Sequence, residues 1–399
     1  MPHIDRDIRD NIQAIIELKK SVLLLGPRQT GKTTLLKDIP HDLCISFIKA
    51  KHRLRYEANL ELLDNEIRVI AEETDYPLVI IDEVQKIPAV MDVVQDLIDD
   101  GIAQFILTGS SARKLKRQKD INLLPGRVIP LYMYPLSIKE INKYKEIDPS
   151  QLDALLSYGM LPEIYLSKTF KRKEILLDAY VNLYLEEEVR NEAIVRNLGN
   201  FSRFLELAAS ESGYVVNYSK LAQVIGVSHT TIKEYYQILE DCLVAERIEP
   251  YLKSKTRHKL TKSQKYLLFD LGLRRVAAHE GENLSIKQKG HLFEQFIGLE
   301  LIKMIRQQDH KIQIHFWRDL DGPEVDWLIE TPDCLIPIEV KYTDKPSERD
   351  ARHLKTFLKE YDKASKAYII CQTPRKLKLA ENIYAIPWLD MYSIFPLEL

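Results

Sequence analysis

The chain reads as an α/β protein organised around a parallel sheet, and three observations say so. Ser21-Val22-Leu23-Leu24-Leu25 is an apolar run of strand length, and Gly26-Pro27-Arg28-Gln29-Thr30-Gly31-Lys32-Thr33 follows it directly. Leu78-Val79-Ile80-Ile81 is a second such run and ends in Asp82-Glu83. Ala103-Gln104-Phe105-Ile106-Leu107 is a third and ends in Thr108-Gly109-Ser110-Ser111. Strands that are apolar throughout are buried on both faces, as in parallel sheets. Ligands of such sheets gather at the carboxyl ends of the strands, where all three polar tips fall.

The first tip fills every position of the phosphate-binding loop G-x-x-x-x-G-K-[ST]. Thr34-Leu35-Leu36-Lys37 then reads as a helix start, completing the strand–loop–helix that gives the motif meaning. A chance Gly/Lys turn would not supply that order. The glycines let successive N–H groups point inward at phosphate oxygens, and the helix N-terminus adds partial positive charge. Gly26, Pro27, Arg28, Gln29, Thr30, Gly31, Lys32, Thr33 and Thr34 are the expected nucleotide contacts. Lys32 would reach the β- and γ-phosphates, and the Thr33 hydroxyl would ligate Mg²⁺.

Asp82, at the end of the second strand, is placed to hold the Mg²⁺ hydration shell, and Glu83 to polarise the attacking water. At the third tip, Thr108, Ser110 and Ser111 are candidates to sense the γ-phosphate, with Ser110 counted among the nucleotide contacts. An ordinary Ser-rich turn is the competing reading of each hydroxyl. Asn142-Lys143-Tyr144-Lys145 lacks the Asp of a guanine reader, and with the Asp-Glu pair this favours ATP.

Composition bounds the rest. A chain of 399 residues with 45% hydrophobic and 29% charged residues is an ordinary globular protein of two to four domains. The net charge of −2 carries no global nucleic-acid signal, so any such signal must be local. No apolar run reaches membrane-spanning length, and Met1 to Asp10 has no apolar core, so no membrane or secretory segment is expected. Cys44, Cys242, Cys334 and Cys371 are scattered and read as buried free thiols of a cytoplasmic protein.

Four units are expected: 1–145, 146–200, 201–262 and 263–399. The first carries the nucleotide motifs and ends at the turn Tyr134-Pro135-Leu136. The second is helical by its spacing of Leu152, Leu155, Leu156, Ile175, Leu176, Ala179, Tyr180 and Leu183, and is positioned to be a lid. The third contains a helix-turn-helix over Tyr218–Tyr236, with Gly226 in the turn and Ser228 capping the second helix. Leu221, Val224, Ile225, Val227, Ile232 and Leu239 form its expected core. Leu243–Ile248 follows as a wing strand, making a winged helix. In a DNA-reading winged helix, His229, Thr230, Thr231 and Lys233 would enter the major groove; protein docking is the competing use. Lys253-Ser254-Lys255-Thr256-Arg257-His258-Lys259-Leu260-Thr261-Lys262 is basic and could contact phosphates. Arg113–Lys119 and Lys171–Lys173 are also basic, but alone read as solvated surface.

The last unit holds a second set of acids. Glu324-Val325-Asp326-Trp327-Leu328-Ile329 and Ile336-Pro337-Ile338-Glu339-Val340-Lys341 read as strands. Glu339 and Lys341 are two apart and share a face, and hairpin pairing would bring Asp326 to them. The helix over Gly290–Gly298 can aim Glu294 at the group. Such carboxylates bind Mg²⁺, and a neighbouring lysine can position water for phosphodiester attack. A surface Glu–Lys pair is the competing reading.

Together these motifs resemble a family of bacterial and archaeal AAA+-type ATPases fused to a C-terminal domain of unknown function. The resemblance covers nearly the whole chain. Besides the motifs above it rests on Leu107–Arg113, Leu124-Pro125-Gly126-Arg127, Tyr134–Ser137 and Phe269-Asp270-Leu271-Gly272-Leu273. It implies an AAA+-like domain, a helical lid, a winged helix and a C-terminal α/β fold similar to PD-(D/E)xK nucleases. By that similarity Asp326, Glu339 and Lys341 match catalytic positions and Glu294 matches the helix acid, so Glu294, Asp326 and Glu339 would hold metal. Arg127 falls at a family Gly-Arg and is the leading candidate for an arginine finger acting between subunits of a homo-oligomer; Arg113 is the runner-up. Leu185-Glu186-Glu187-Glu188-Val189 departs from the acidic–basic mix of relatives.

The expected function is Mg²⁺-dependent ATP binding and hydrolysis coupled to DNA binding and to DNA cleavage. The alternative is an ATP-gated DNA- or protein-binding switch whose nuclease-like domain is inactive.

Overall fold

The computed structural model describes residues 4–111, 126–185, 198–254, 257, 259–308, 311–320 and 322–395. Five of its strands form one parallel sheet: β1 (Ser21–Leu25), β2 (Leu43–Ser46), β3 (Leu78–Asp82), β4 (Gln104–Gly109) and β5 (Val128–Tyr132), in the order β2-β3-β4-β1-β5. The apolar runs follow from burial on two sides. Val22, Leu24, Ile80 and Ile106 pack with Ile8 and Ile12 of helix α1 (Ile8–Glu17) and Leu35 and Leu36 of α2 (Lys32–Leu36). Leu23, Leu25, Ile81 and Phe105 pack on the opposite face. There they meet α3 (Ala50–Ala58), α4 (Glu61–Glu73) and α5 (Val90–Asp99), through Tyr56, Leu63, Ile67, Val94 and Leu97.

A helical block follows: α6 (Ile138–Tyr144), α7 (Leu152–Tyr158), α8 (Pro162–Tyr165), α9 (Phe170–Ala179) and a π-helical turn over Tyr180–Leu185. Helix α10 (Leu198–Ser210) leads to the helix-turn-helix, α11 (Tyr218–Ile225) and α12 (His229–Asp241). Gly226 ends α11 at φ 80°, and the Ser228 hydroxyl accepts from Thr231 N at 3.0 Å as the N-cap of α12. Leu221, Ile225, Ile232 and Leu239 are buried together as expected. Val224 is instead 42% exposed, because it falls outside the stripe that faces α12.

The strand expected as a wing falls in β6 (Ala245–Pro250), which pairs antiparallel with β7 (Lys265–Leu268). The end of β6 also pairs in parallel with β8 (Gln313–Arg318), and this carries the wing into the C-terminal sheet. That sheet adds β9 (Glu324–Glu330), β10 (Leu335–Val340), β11 (Ala367–Cys371), β12 (Leu377–Ala380) and β13 (Ile383–Pro387), in the order β12-β13-β11-β10-β9-β8-β6-β7. The division expected at residue 262 falls inside the β6–β7 hairpin. A bare wing edge would expose unpaired N–H and C=O groups, and β8 covers it.

Between wing and sheet lie α13 (Leu271–Ala277) and the 23-residue α14 (Ile286–Gln308); α15 (Arg352–Glu360) packs on the far face through Leu354 and Phe357. The Phe269–Leu273 block is a structural knot. Asp270 caps α13 by accepting from Leu273 N at 3.1 Å and also accepts from Met160 N at 2.7 Å. Met160 in turn accepts from Leu136 N at 3.0 Å, tying the turn Tyr134-Pro135-Leu136 through Met160 to the start of α13. No helix among the described residues is long and apolar enough to cross a membrane. All four cysteines are free, but only Cys242 and Cys371 are buried. Cys44 is exposed because β2 is the edge strand of its sheet.

Candidate active site

The loop from Gly26 to Gly31 closes over the end of β1. A Cβ at Gly26 would stand 2.3 Å from the Met133 carbonyl oxygen, so no larger residue fits. Gly31 has φ +99°, in the left-handed region open to glycine. Lys32 is buried, and its ammonium donates to the carbonyls of Gly26 at 2.6 Å and Pro27 at 3.0 Å. Those carbonyls hold the charge at the place where phosphate oxygens would take it.

Three strand tips meet here. Thr33 Oγ1 lies 3.3 Å from Asp82 Oδ2, Ser46 Oγ donates to the same oxygen at 3.2 Å, and Thr108 Oγ1 donates to Asp82 Oδ1 at 2.6 Å. The Thr108 hydroxyl also accepts from Glu83 N at 3.0 Å, locking the acidic pair to β4. Glu83 sits at φ 61°, an unusual conformation for a non-glycine residue. Its carboxylate accepts from Gln85 Nε2 at 2.6 Å and from Ser110 Oγ at 3.1 Å. A hydroxyl and a carboxylate side by side suit Mg²⁺, which keeps most of its water and takes few protein ligands.

The pocket in front of the loop has a volume of about 630 Å³. Its lining includes the polar Lys32, Thr33, Thr34, Glu83 and Lys86 and the apolar Ile4, Leu136, Pro162 and Leu166. Burial pulls the Lys86 ammonium below its ordinary range. The helical block contributes Pro162, Glu163 and Leu166, and Tyr180 Oη donates to the Arg28 carbonyl at 3.1 Å. Arg6, buried beneath, donates to the carbonyls of Thr30 and Tyr134 at 2.6 Å each and to Glu140 at 3.0 Å. Arg6, Ser46, Gln85, Lys86 and Tyr180 were not expected from the sequence. Only Gln85, two residues beyond Glu83, lay close enough to a motif to be found.

Arg127 does not join this pocket. It precedes β5 at the amino end of the sheet, beside Ser21, roughly 17 Å along the strand from the loop. It forms a two-point pair with Asp99, Nε–Oδ1 2.5 Å and Nη2–Oδ2 2.8 Å. Arg113, the rest of the Arg113–Lys119 run, Leu124-Pro125 and Glu186–Val189 lie outside the described residues.

In the C-terminal sheet, β9 and β10 pair antiparallel with Trp327 opposite Ile338, so the next positions, Asp326 and Glu339, face each other. Both are buried. Asp326 accepts from Val340 N at 2.8 Å, and Lys341 Nζ donates to Glu339 Oε1 at 2.6 Å. Glu339 Oε2 is buried without a partner. Burial, then the Glu339 and Glu294 charges, push the Asp326 carboxyl well up; burial pushes Glu339 up to about 7 against the pull of Lys341. Burial opposes the Lys341 charge, but Glu339 and Asp326 hold its ammonium above the ordinary range.

Glu294 lies near enough for its charge to act on Asp326 and Glu339. Its carboxylate pairs with Lys265 Nζ at 3.0 Å, and Lys265 lies over the rings of Phe316 and Trp327. Among the described residues no three acidic, imidazole or thiol side chains converge closely enough to enclose a metal. Asp326 and Glu339 with the orphaned Oε2 suit a divalent cation completed by water and phosphate; Glu294 is committed to Lys265.

On the helix-turn-helix, His229, Thr230 and Lys233 are exposed at the start of α12. The basic linker is less free than its composition suggests. Lys253 pairs with Glu330 at 2.5 Å, and Arg257 bridges Asp319 at 2.6 Å and Glu360 at 2.5 Å while lying over Trp317. Acids on the C-terminal domain, remote in sequence, claim these two cations. Lys255, Thr256 and His258 lie outside the described residues.

With this geometry in place, comparison with known proteins gives a partial answer. Residues 18–142 match the family model of an AAA domain. The matched stretch spans the whole parallel sheet and the loop, so the AAA domain is the nucleotide-site domain. Residues 149–284 and 289–391 match two further families, each described as a domain of unknown function (DUF8612 and DUF4143). An uncharacterized protein of Mycobacterium tuberculosis is 23% identical over 389 residues, covering 96% of this chain and 83% of that protein. One of Haemophilus influenzae is 23% identical over 412 residues, covering 96% and 98%. The Orc1 protein of Aeropyrum pernix in complex with DNA overlays with a TM-score of 0.31 at 11% identity, covering 70% of this chain and 94% of that one; so slight an overlay carries no inference.

Proposed function

We propose that the chain is an Mg²⁺-dependent ATPase whose nucleotide state is transmitted to a DNA-binding C-terminal half. The observation that carries this reading is the meeting of Thr33, Asp82 and Glu83 beside Lys32 at the AAA-domain pocket. Lys32 exchanges its two carbonyl partners for the β- and γ-phosphates, and the loop N–H groups take further oxygens. Thr33 and Asp82 would hold Mg²⁺, which neutralises charge on the phosphates. Glu83 takes the proton of the attacking water, its carboxylate aimed by Gln85 and Ser110. The test is ATP binding and turnover on the full chain. Lys32→Ala loses tight ATP binding; Glu83→Gln keeps binding and loses hydrolysis. Equal turnover by wild type and Glu83→Gln would overturn the role of Glu83.

DNA binding is supported by the exposed His229, Thr230 and Lys233 on α12. Asp326, Glu339 and Lys341 support metal-dependent phosphodiester cleavage as the use of the C-terminal centre. The second reading, an inactive nuclease-like scaffold, is favoured by the commitment of Glu294 to Lys265.

A further inference from the structure

A second cleft, of about 790 Å³, opens between the helix-turn-helix and the C-terminal sheet. Its walls are the start of α11 with Asn217 and Tyr218, His229 at the first turn of α12, the segment 259–263, and Arg318 at the end of β8. We propose that this cleft binds the sugar–phosphate backbone of a nucleic-acid strand. The inference rests on the DNA-binding reading and names where that binding occurs.

Charge is the first observation. The whole chain has 59 acidic and 57 basic residues, yet among the described residues the lining of this cleft contains Lys259, Lys262, Arg318 and His229 and no Asp or Glu. Arg318 pairs with Glu324, outside the lining, at 3.5 Å, and both side chains are about half exposed, so a phosphate can compete for it.

The second observation is Thr261. It lines the cleft, is only 5% exposed, and its hydroxyl, itself closed to solvent, has no hydrogen-bond partner among the described residues. Its backbone N–H donates to the Arg318 carbonyl at 3.0 Å, which fixes the residue to the β8 wall. A buried hydroxyl without a partner is costly, and a small shift of the cleft wall would let a ligand supply its acceptor. Phosphate oxygens are such acceptors, and the surrounding cations select for them.

Size argues for a strand over a lone ion. At about 30 Å³ per water the cleft holds roughly 25 water volumes, far more than one phosphate occupies. His229 joins it to the exposed start of α12, so a strand leaving the helix-turn-helix enters the cleft without a break.

The test uses the full chain and a short fluorescein-labelled DNA, single-stranded and duplex, followed by anisotropy across a salt series. Lys262→Glu with Arg318→Gln should weaken binding by about tenfold or more and lower the salt slope by about 1 for each lost phosphate contact. Thr261→Val should weaken binding without lowering the melting temperature, which a purely structural role would not allow. DNA binding unchanged in both variants would overturn the cleft and leave the DNA reading standing. No binding of either DNA by the wild type would overturn both. In a Lys32→Ala background, tripolyphosphate retention that depends on Lys262 and Arg318, with no DNA retention, would assign the cleft to a free phosphate compound and overturn the strand.

Discussion

Lys303 Nζ donates to the Leu136 carbonyl at 2.8 Å, joining the long helix α14 to a residue that lines the nucleotide pocket. The same ammonium pairs with Glu300 at 2.7 Å, and Glu300 accepts from Ile138 N at 2.9 Å and Tyr392 Oη at 2.6 Å. Helix α14 also carries Glu294, so one rigid element touches both the nucleotide pocket and the C-terminal acidic centre.

That junction is buried. Lys303→Met leaves Glu300 charged and unpaired, and should cost about 3–5 kcal/mol in chemical denaturation. Adding Glu300→Leu should restore much of the loss. If the single variant is as stable as wild type, the pair is not a structural tie.

Gln85 Nε2 donates to Glu83 at 2.6 Å and to Ser110 Oγ at 2.9 Å. Gln85→Leu should lower ATP turnover by about 10²-fold, the scale of a small misplacement of a reacting group. ATP affinity should change little. A parallel loss of affinity, read by equilibrium binding, would mean that Gln85 supports the pocket as a whole.

Arg127 and Asp99 pair at the surface, so breaking their pair should leave the denaturation midpoint nearly unchanged. If Arg127 serves a neighbouring subunit as an arginine finger, Arg127→Ala should lower turnover by about 10³-fold or more. Mixing Arg127→Ala with Lys32→Ala chains should recover part of it, since each supplies what the other lacks. Full activity of a strictly monomeric protein would rule the role out.

At the C-terminal centre, Mn²⁺ should bind the wild type in calorimetry and be lost in Asp326→Ala and Glu339→Ala. Lys341→Ala should keep the metal and lose any DNA cleavage, because a lysine does not ligate it. ATP turnover should survive all three. Metal retained in Glu339→Ala would remove the orphaned carboxylate oxygen from the site.

His291 stacks on Tyr214 at 3.9 Å, and its Nε2 lies 2.9 Å from the Ser212 carbonyl. Burial, with Arg274 and Lys265 adding to it, holds its imidazole below the ordinary range, although Glu294 and the carbonyl pull the other way. The unfolded chain therefore binds this proton first as pH falls below about 6.5. Stability should decline as pH drops through that region, and His291→Gln should flatten the decline in pH-dependent denaturation. An unchanged slope would show that the imidazole takes up its proton alike in the folded and unfolded chain.

The sequence by itself determined the parts that are written in consecutive residues. The loop Gly26–Thr33 after an apolar strand, the Asp82-Glu83 tip, and the Ser228 cap after Gly226 all follow from covalent spacing and local backbone preference. The alternation of Glu339 and Lys341 also put them on one face before any fold was known. Tertiary structure alone decided which distant groups meet. It gave Glu294 to Lys265 across the sheet edge, Arg127 to Asp99, and Arg257 to Asp319 and Glu360. It set Arg6 under the loop, paired β6 with β8, and left Thr261 facing a cleft. Such pairings depend on where chain segments close on one another. Hydrophobic period and turn chemistry restrict that closure but do not specify it, and a buried charge takes whichever opposite partner the packed fold brings within reach.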